Sequence, residues 1–494
     1  MAQVTDIFSN IGKGNLIRSQ TFVSLASQFG LTAIGFLSTV YFTRLVDPAL
    51  VGIYFLFFSY YTLFYLFSES GIGEASVKII SEGHQQNSYY SASMTLRLIY
   101  LVLCIICLAF MAIFFPSAVL MNVSIFWWVI AALIIDFIYN SRIYAAYADG
   151  KVNAFQVSLF LNTAVRSFIQ IIFVYLGYHT FGLEGGFFAG MIAAALFVHR
   201  YNSLKLIRFS KKQLQHLLKY AVLVFLVMSC YLVYQNIDVV MIGHFMSETH
   251  AGIYRIIYQF SMLAGLATIS MKAVLYPKFS AWNEKKEIKS ITEGLRGGTT
   301  VSLMLAIPIF FSFLILGHDF IFLFYGNTYT DGVTALYWLS LIQIVTVFMY
   351  LQGMCLNAIS HPKYAFLSIA AGIVSNIILN LLLIPNYGME GAAIATTISM
   401  SINVVLAFIL LKKSIQVHYD WKSAAKMIIV SLVMCGFLIL FKQFLPITNV
   451  ALLLIAFTVG GLLYGFIMLI VDKNVRNEVF GMARTFGIKI PKDW

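Results

Sequence analysis

FGLEGGFFAG, residues Phe181–Gly190, and YGMEGAAIAT, residues Tyr387–Thr396, spell one signal twice: Gly, an apolar residue, Glu-Gly, then an apolar run rich in small side chains. Around both, the chain consists of apolar runs of about twenty residues, the length that crosses a hydrocarbon core of roughly 30 Å. Of its 494 residues 60% are hydrophobic and 11% charged, with a mean hydropathy of +0.86. Soluble domains carry about 25% charged residues, so this chain lacks the polar surface needed to face water. An all-α integral membrane protein is expected, because in lipid a helix satisfies its backbone polar groups within its own segment.

Apolar runs set against polar breaks predict about fourteen transmembrane helices. They fall near 21–42, 50–68, 96–115, 118–140, 154–176, 183–201, 220–243, 252–275, 299–316, 334–353, 364–384, 390–411, 424–444 and 449–471. With a cytoplasmic amino terminus, the inner loops collect Lys13 and Arg18, Lys78 and Arg97, Arg142 and Lys151, and the basic run from Arg200 to Lys219. They also hold Lys272 to Arg296, Lys363, Lys412 to Lys426 and the tail from Lys473 onward; the outer loops hold only Arg44 and Lys442. This bias is the positive-inside signature, and it predicts both ends on the cytoplasmic side of a multi-pass protein of the cytoplasmic membrane. The net charge of +12 is then an orientation signal with attraction to anionic lipid, and nucleic acid is not an expected partner. Residues 1–20 lack an apolar core followed by a cleavage site, so the first run is expected to remain a membrane helix.

A second pair of stretches repeats. FTRLVDPALVGIY (Phe42–Tyr54) and GHFMSETHAGIY (Gly243–Tyr254) both lead into Gly-Ile-Tyr at a helix start. Each pair is separated by six predicted helices, an even number, which predicts two parallel six-helix repeats. The expected organisation is an amino-terminal lobe 1–201, a basic cytoplasmic connector 202–219, a second lobe 220–411, two additional helices in 412–471 and a cytoplasmic tail 472–494. Small residues at the repeated motifs let neighbouring helices approach closely in lipid.

Ionisable residues inside a membrane are costly and mark candidate sites. Arg166 lies midway along the fifth predicted helix, with Asn162 and Gln170 four residues to either side and so on one face. Its candidate charge partners are Asp136 in helix four and Asp238 in helix seven, which are also the candidates for ion coupling. Arg255 opens helix eight, and Arg18 and Arg44 flank helix one; these three also suit interfacial snorkelling. A structural salt bridge is the plain alternative for Arg166. Planar guanidinium pairs with phosphate in two-point contact, so an embedded arginine suits an anionic cargo. Asn376, Asn380 and Asn403 read as glue between helices, and Glu184 and Glu390 as carboxylates at helix starts.

Cys104 and Cys107 spell C-x-x-C inside an apolar run with no His or acid near, and read as packing residues. There is no H-E-x-x-H, no G-x-S-x-G and no Walker A stretch, so no catalytic residue, metal or cofactor is expected. The aromatic stretch YFLFFSYYTLFYLF, Tyr54–Phe67, reads first as a lipid-facing belt and second as a stacking surface for sugars.

Gly52-Ile53-Tyr54 after an outer turn, the basic connector over 199–219 and YGMEGAAIAT, in this order and spacing, resemble the polysaccharide-biosynthesis flippases. These are the Wzx-type O-antigen or lipid-linked oligosaccharide translocases, related to MATE drug exporters and lipid II flippases in one superfamily. The resemblance runs over essentially the whole chain. It implies a MATE-like fold, alternating access of two lobes, and a polyprenyl-diphosphate-linked oligosaccharide as cargo. The carrier it implies is undecaprenyl in bacteria or dolichyl in archaea. H+ or Na+ coupling and polysaccharide assembly proteins as partners are further expectations from the resemblance. Two other classes stay open: an ion-coupled antiporter of the same superfamily, and a membrane glycan polymerase or transferase. Against the latter, outer loops are short apart from the stretch around Gly317–Gly332.

Overall fold

The fold comes from a computed structural model that describes residues 16–114 and 123–485. Sixteen α-helices and two short 3-10 turns account for the regular structure of the described residues, which contain no strand. Contacts divide the chain into two compact units, one ending at Asn236 and the other beginning at Ile237. The first unit holds α1 (Leu16–Leu45), α2 (Pro48–Glu69), α3 (Ile72–Ser81), α4 (Gln86–Phe114), α5 (Val123–Ala148), α6 (Val152–Tyr175) and α7 (His179–His199). The boundary falls inside α8 (Lys211–Phe245). The second unit continues with α9 (Glu248–Ser261), α10 (Leu266–Glu284), α11 (Ile288–Tyr325), α12 (Val333–Ala358), α13 (Pro362–Lys412), α14 (Trp421–Phe444), α15 (Val450–Val471) and α16 (Lys473–Thr485).

The repeated Gly-Ile-Tyr segments open their helices in the same way. At α2 the Asp47 carboxylate accepts from the Ala49 N–H at 2.8 Å and Pro48 takes the first turn. At α9 the Ser247 hydroxyl accepts from the His250 N–H. Both are N-caps that satisfy an orphan donor of the first turn. Val51 and Ala251 at the matching positions are fully buried, and the tyrosines that follow are buried too.

Among the described residues, eleven helices are long and apolar enough to cross a membrane, or twelve if Glu248–Gly265 and Ala267–Glu284, bent by 51°, count as one broken span. The fourteen expected spans are therefore not established, and the differences are local. The expected helix 252–275 is broken at the 3-10 turn Met262–Gly265. The expected helices 364–384 and 390–411 run together in α13, whose 51 residues would reach about 75 Å, more than two hydrocarbon thicknesses. They turn at Gly388, where φ is 57° and ψ −136°, a conformation that favours glycine, and where a Cβ would lie 2.8 Å from Met246 Cε. The expected first span lies in α1, whose side chains are described only from residue 30, and the predicted break after Phe115 lies outside the described residues.

Three expectations are corrected. α4 begins at Gln86, ten residues before its expected start, which places Arg97 within the helix at 4% exposure instead of in an inner loop. The amphipathic α3 was not anticipated. It buries Ile72, Ala75, Ile79 and Ile80 and exposes Glu74 and Lys78, and the chain enters it through Ser70 and Gly71, both left-handed. The aromatic stretch of α2 is packing core: Phe57 stands edge-on to Phe187 at 5.4 Å and Tyr61 to the same ring at 5.3 Å, all three buried. The outward apolar surface is carried instead by residues such as Leu103, Ile106 and Phe110 of α4.

Candidate functional site

The second unit contains a buried carboxylate held only by neutral groups. Asp238, on α8, is 4% exposed. Its Oδ1 accepts from Asn380 Nδ2 at 2.7 Å, and its Oδ2 accepts from the Tyr254 hydroxyl at 2.8 Å and the Thr396 hydroxyl at 2.5 Å. Asn376 donates to Thr396 Oγ1 at 3.0 Å and accepts from Asn380 at 3.2 Å. No cation lies within 4 Å of this carboxylate among the described residues. Asn376 and Asn380 are one helical turn apart on α13, Thr396 follows beyond the Gly388 turn, and Tyr254 is the tyrosine of the repeated motif. A buried charge needs compensation. Three hydrogen-bond donors supply part of it, while Asn380 Oδ1 is buried without a partner.

The repeat explains why the site is built in this unit. Tyr54 and Tyr254 are 200 positions apart, and that shift sets Ser38 opposite Asp238; Glu184 and Glu390 are 206 apart, which sets Gln170 opposite Asn376. In the first unit Gln170 Nε2 donates to the Tyr54 hydroxyl at 3.1 Å and to the Leu183 carbonyl at 2.8 Å. In the second unit the tyrosine and an amide of α13, Asn380, are joined instead through the Asp238 carboxylate. Ser38 is buried with its hydroxyl unpartnered.

The first unit has its own acids. Asp136, on α5 and 3% exposed, accepts from the Tyr61 hydroxyl and from Asn140 Nδ2, both at 2.7 Å. Arg97 lies near both Asp136 and Glu69. It donates to the Ser141 hydroxyl at 3.4 Å, lies against the rings of Phe137 and Tyr144 at 6.0 and 5.6 Å, and leaves Nε unpartnered. Glu69, the last residue of α2, accepts from the Gly73 N–H at the start of α3. Neither acid forms an ion pair with Arg97 within 4 Å among the described residues; its positive charge acts on both from a greater distance.

Arg166 is half-buried on α6 and makes no ion pair within 4 Å among the described residues, with Asp136 or with any other acid. The face it shares with Asn162 and Gln170 packs on α7, at Gly186 and Gly190. A Cβ at Gly190 would lie 2.4 Å from the Asn162 carbonyl and 2.9 Å from Arg166 Cβ; one at Gly186 would lie 2.9 Å from the Arg166 carbonyl. These glycines, four apart, let α6 and α7 approach closely. Gln170 serves as a bolt between helices, joining α6 to Tyr54 and to the Leu183 carbonyl. Arg44 is exposed at the end of α1, Arg255 is half-buried next to Tyr254, and Arg18 lies outside the residues whose side chains are described.

Comparison with known proteins gives the family. A polysaccharide biosynthesis protein family model matches residues 17–282, and a lipid II flippase MurJ model matches residues 151–470. The chain belongs to the polysaccharide biosynthesis protein family. Over 460 residues it is 25% identical to the probable low-salt glycan biosynthesis flippase Agl15 of Haloferax volcanii, covering 92% of this chain and 96% of the relative. Among solved structures it is similar to the inward closed conformation of lipid II flippase MurJ, with a TM-score of 0.73 at 19% identity, covering 94% of this chain and all of the other. An inward-facing multidrug resistance MATE family transporter of the MOP superfamily matches with a TM-score of 0.65 at 16% identity, over 80% of this chain and 99% of its own. The fold is accordingly one shared with these MurJ and MATE structures. Asp238 was a sequence candidate, but its partners on α13 were read as helix glue. Arg97, Glu69 and Tyr61 were missed as members of a buried cluster.

Proposed function

We propose that the protein moves a polyprenyl-diphosphate-linked oligosaccharide from the inner to the outer face of the cytoplasmic membrane, with both chain ends on the cytoplasmic side. Two lobes, 1–201 and 220–411, alternate access to the two faces, the helices of 412–471 flank them, and the prenyl tail stays in lipid throughout. The observation that carries this reading is the family match, which extends from residue 17 to residue 470 and includes a glycan flippase aligned over nearly its full length. We ascribe no covalent step to the chain.

Arg166 is the residue we assign to the diphosphate. It is a half-buried guanidinium without an acidic partner among the described residues, and its planar fork suits two phosphate oxygens. Arg18, Arg44 and Arg255 are assigned to guiding the same anion along the path.

Asp238 is assigned to a coupling Na+ or H+. The hard oxygens gathered there, carboxylate, amide and hydroxyl, are the donor types that a small hard cation takes. The unpartnered Asn380 Oδ1 is one more acceptor available to it. A cation bound there would neutralise the one uncompensated charge of the cluster.

Reconstitution tests the cargo assignment. Proteoliposomes bearing the native protein are expected to move a fluorescent polyprenyl-diphosphate oligosaccharide, and Arg166→Ala to reduce that rate more than Arg166→Gln reduces it. Equal rates for all three proteins would remove Arg166 from the path. Export of small organic cations in place of any lipid movement would give the function to an antiporter.

A further inference from the structure

The loop cations of this chain are mostly exposed, as orientation requires. Four of them border one cavity. At the start of α11, Lys289, Glu293 and Arg296 stand at positions i, i+4 and i+7, and so on one face of the helix. At the end of α13, Lys412 and Lys413 lead into the segment Ser414–His418. These two elements border a single cavity of about 730 Å³, lined by residues of the second unit alone. Its volume falls in the range of small-molecule sites, roughly 300–1,000 Å³.

Positive charge is in excess on the cavity wall. Lys151 is paired with Asp149 at 2.8 Å, Lys426 with Asp472 at 3.1 Å and Lys442 with Asp319 at 2.5 Å. Lys289, Arg296, Lys412 and Lys413 have no ion pair within 4 Å among the described residues, although Glu293 is on the same wall. Four cations therefore face one acid. Lys412 is further ordered by the Phe408 ring, 4.5 Å from its ammonium. The half-buried hydroxyl residues Thr292 and Ser414 complete a polar lining, and Ile415 is a buried apolar element of the wall.

Cations gathered on one concave wall suit a phosphate oxyanion: ammonium supplies point charge and Arg296 supplies a planar fork. We propose that this cavity is a phosphate-binding site, separate from Arg166 and Asp238, which takes the phosphate of an anionic lipid headgroup or of a soluble organic diphosphate. Basic pockets beside membrane helices on the cytoplasmic side are suited to such headgroups. The bias of Lys and Arg places this end of α11 and α13 on that side. The inference does not depend on what the protein transports.

The test is native mass spectrometry of the full-length protein in detergent, with phosphatidylglycerol, phosphatidylcholine and uridine diphosphate as separate probes. The cavity variant is Lys289→Gln/Arg296→Gln/Lys413→Gln. The control, Lys205→Gln/Lys211→Gln/Lys212→Gln, removes the same charge elsewhere. The native protein and the control are expected to hold phosphatidylglycerol or uridine diphosphate at least about tenfold more tightly than the cavity variant does. Retention of phosphatidylglycerol identifies a lipid source, and retention of uridine diphosphate alone identifies a soluble one. Equal losses in cavity and control variants, or loss in neither, would overturn the site and leave only bulk charge. If the triple variant does not fold, Arg296→Gln alone is measured, with a severalfold loss expected and an unchanged affinity counting against the site.

Discussion

Asn380 donates to Asp238 across 2.7 Å, both side chains buried, and the bond joins α13 to α8 within the second unit. The amide supplies a donor to the carboxylate but no charge, so the cluster stays electrostatically open. The coupling proposal puts a cation there to balance it.

Replacing choline with sodium, or lowering the pH from 8 to 5, is expected to raise the melting temperature of the purified native protein. A ligand at one hundred times its dissociation constant stabilises by about 2.7 kcal/mol. Asp238→Asn keeps the shape and should abolish the shift; Asp238→Ala should also strip acceptors from Asn380, Tyr254 and Thr396, each of which costs about 1–3 kcal/mol to leave buried and unmet. A native protein whose melting ignores both sodium and pH would contradict the coupling assignment.

Arg97→Ala is expected to destabilise the first unit by about 1–3 kcal/mol, because the Ser141 hydroxyl loses a donor and Glu69 and Asp136 lose the nearby positive charge. Tyr61→Phe removes one donor from Asp136 and should cost about 1–3 kcal/mol. Thermal unfolding in detergent measures both. If Arg97→Ala proved as stable as the native protein, Arg97 would hold neither acid.

Neighbouring glycines of one motif should respond differently. At Gly186 a Cβ would lie 2.9 Å from the Arg166 carbonyl and 3.0 Å from the Gln170 backbone nitrogen, whereas at Gly185 the nearest atom, Phe173 Cε2, is 3.8 Å away. Gly186→Ala is expected to cost about 1–3 kcal/mol through overpacking, and Gly185→Ala to be neutral or to stabilise by up to about 1 kcal/mol. Melting curves of the two variants side by side decide the point; equal effects would mean that α6 and α7 are not packed through Gly186.

Asp472 joins three helices. It accepts from the Val475 N–H at 3.0 Å and from the Ser423 hydroxyl at 2.9 Å, and is paired with Lys426 at 3.1 Å. Burial works to raise its pKa, but the Val475 N–H, Lys426 and Ser423 together hold it below the usual carboxylate value. A depressed folded pKa gives stability that is present above the unfolded value of about 3.9 and is lost as pH falls through the folded value. Hydrogen exchange of 473–485 should therefore be slow at pH 7 and, after correction for intrinsic rates, faster near pH 3. Asp472→Ala should show the acid behaviour at pH 7, a loss of about 1 kcal/mol of capping; protection independent of both changes would argue against this joint.

Membrane class, the helical fold and the repeat were legible because hydropathy and spacing are written along the chain. DPALVGIY and SETHAGIY could be matched before any contact was known, and their caps and buried tyrosines match in space as well. Arg97 was misassigned because charge near an apolar run reads as a loop, and only the earlier start of α4 buries it. Asn376 and Asn380 looked like ordinary helix glue: the carboxylate they serve is 142 residues from Asn380, and no local pattern connects them. Gly388 was visible as part of a repeat, but its left-handed turn was not. In the first half the turn falls at Gly177, while Gly182 at the matching position stays within α7.

The most direct measurement is the transbilayer rate of a fluorescent polyprenyl-diphosphate oligosaccharide in proteoliposomes, with native protein and Asp238→Asn compared under an imposed sodium or proton gradient. The account predicts protein-dependent movement that the gradient accelerates, and a rate at least tenfold lower and indifferent to the gradient in the variant. No protein-dependent movement, or equal gradient-driven rates for both proteins, would contradict it.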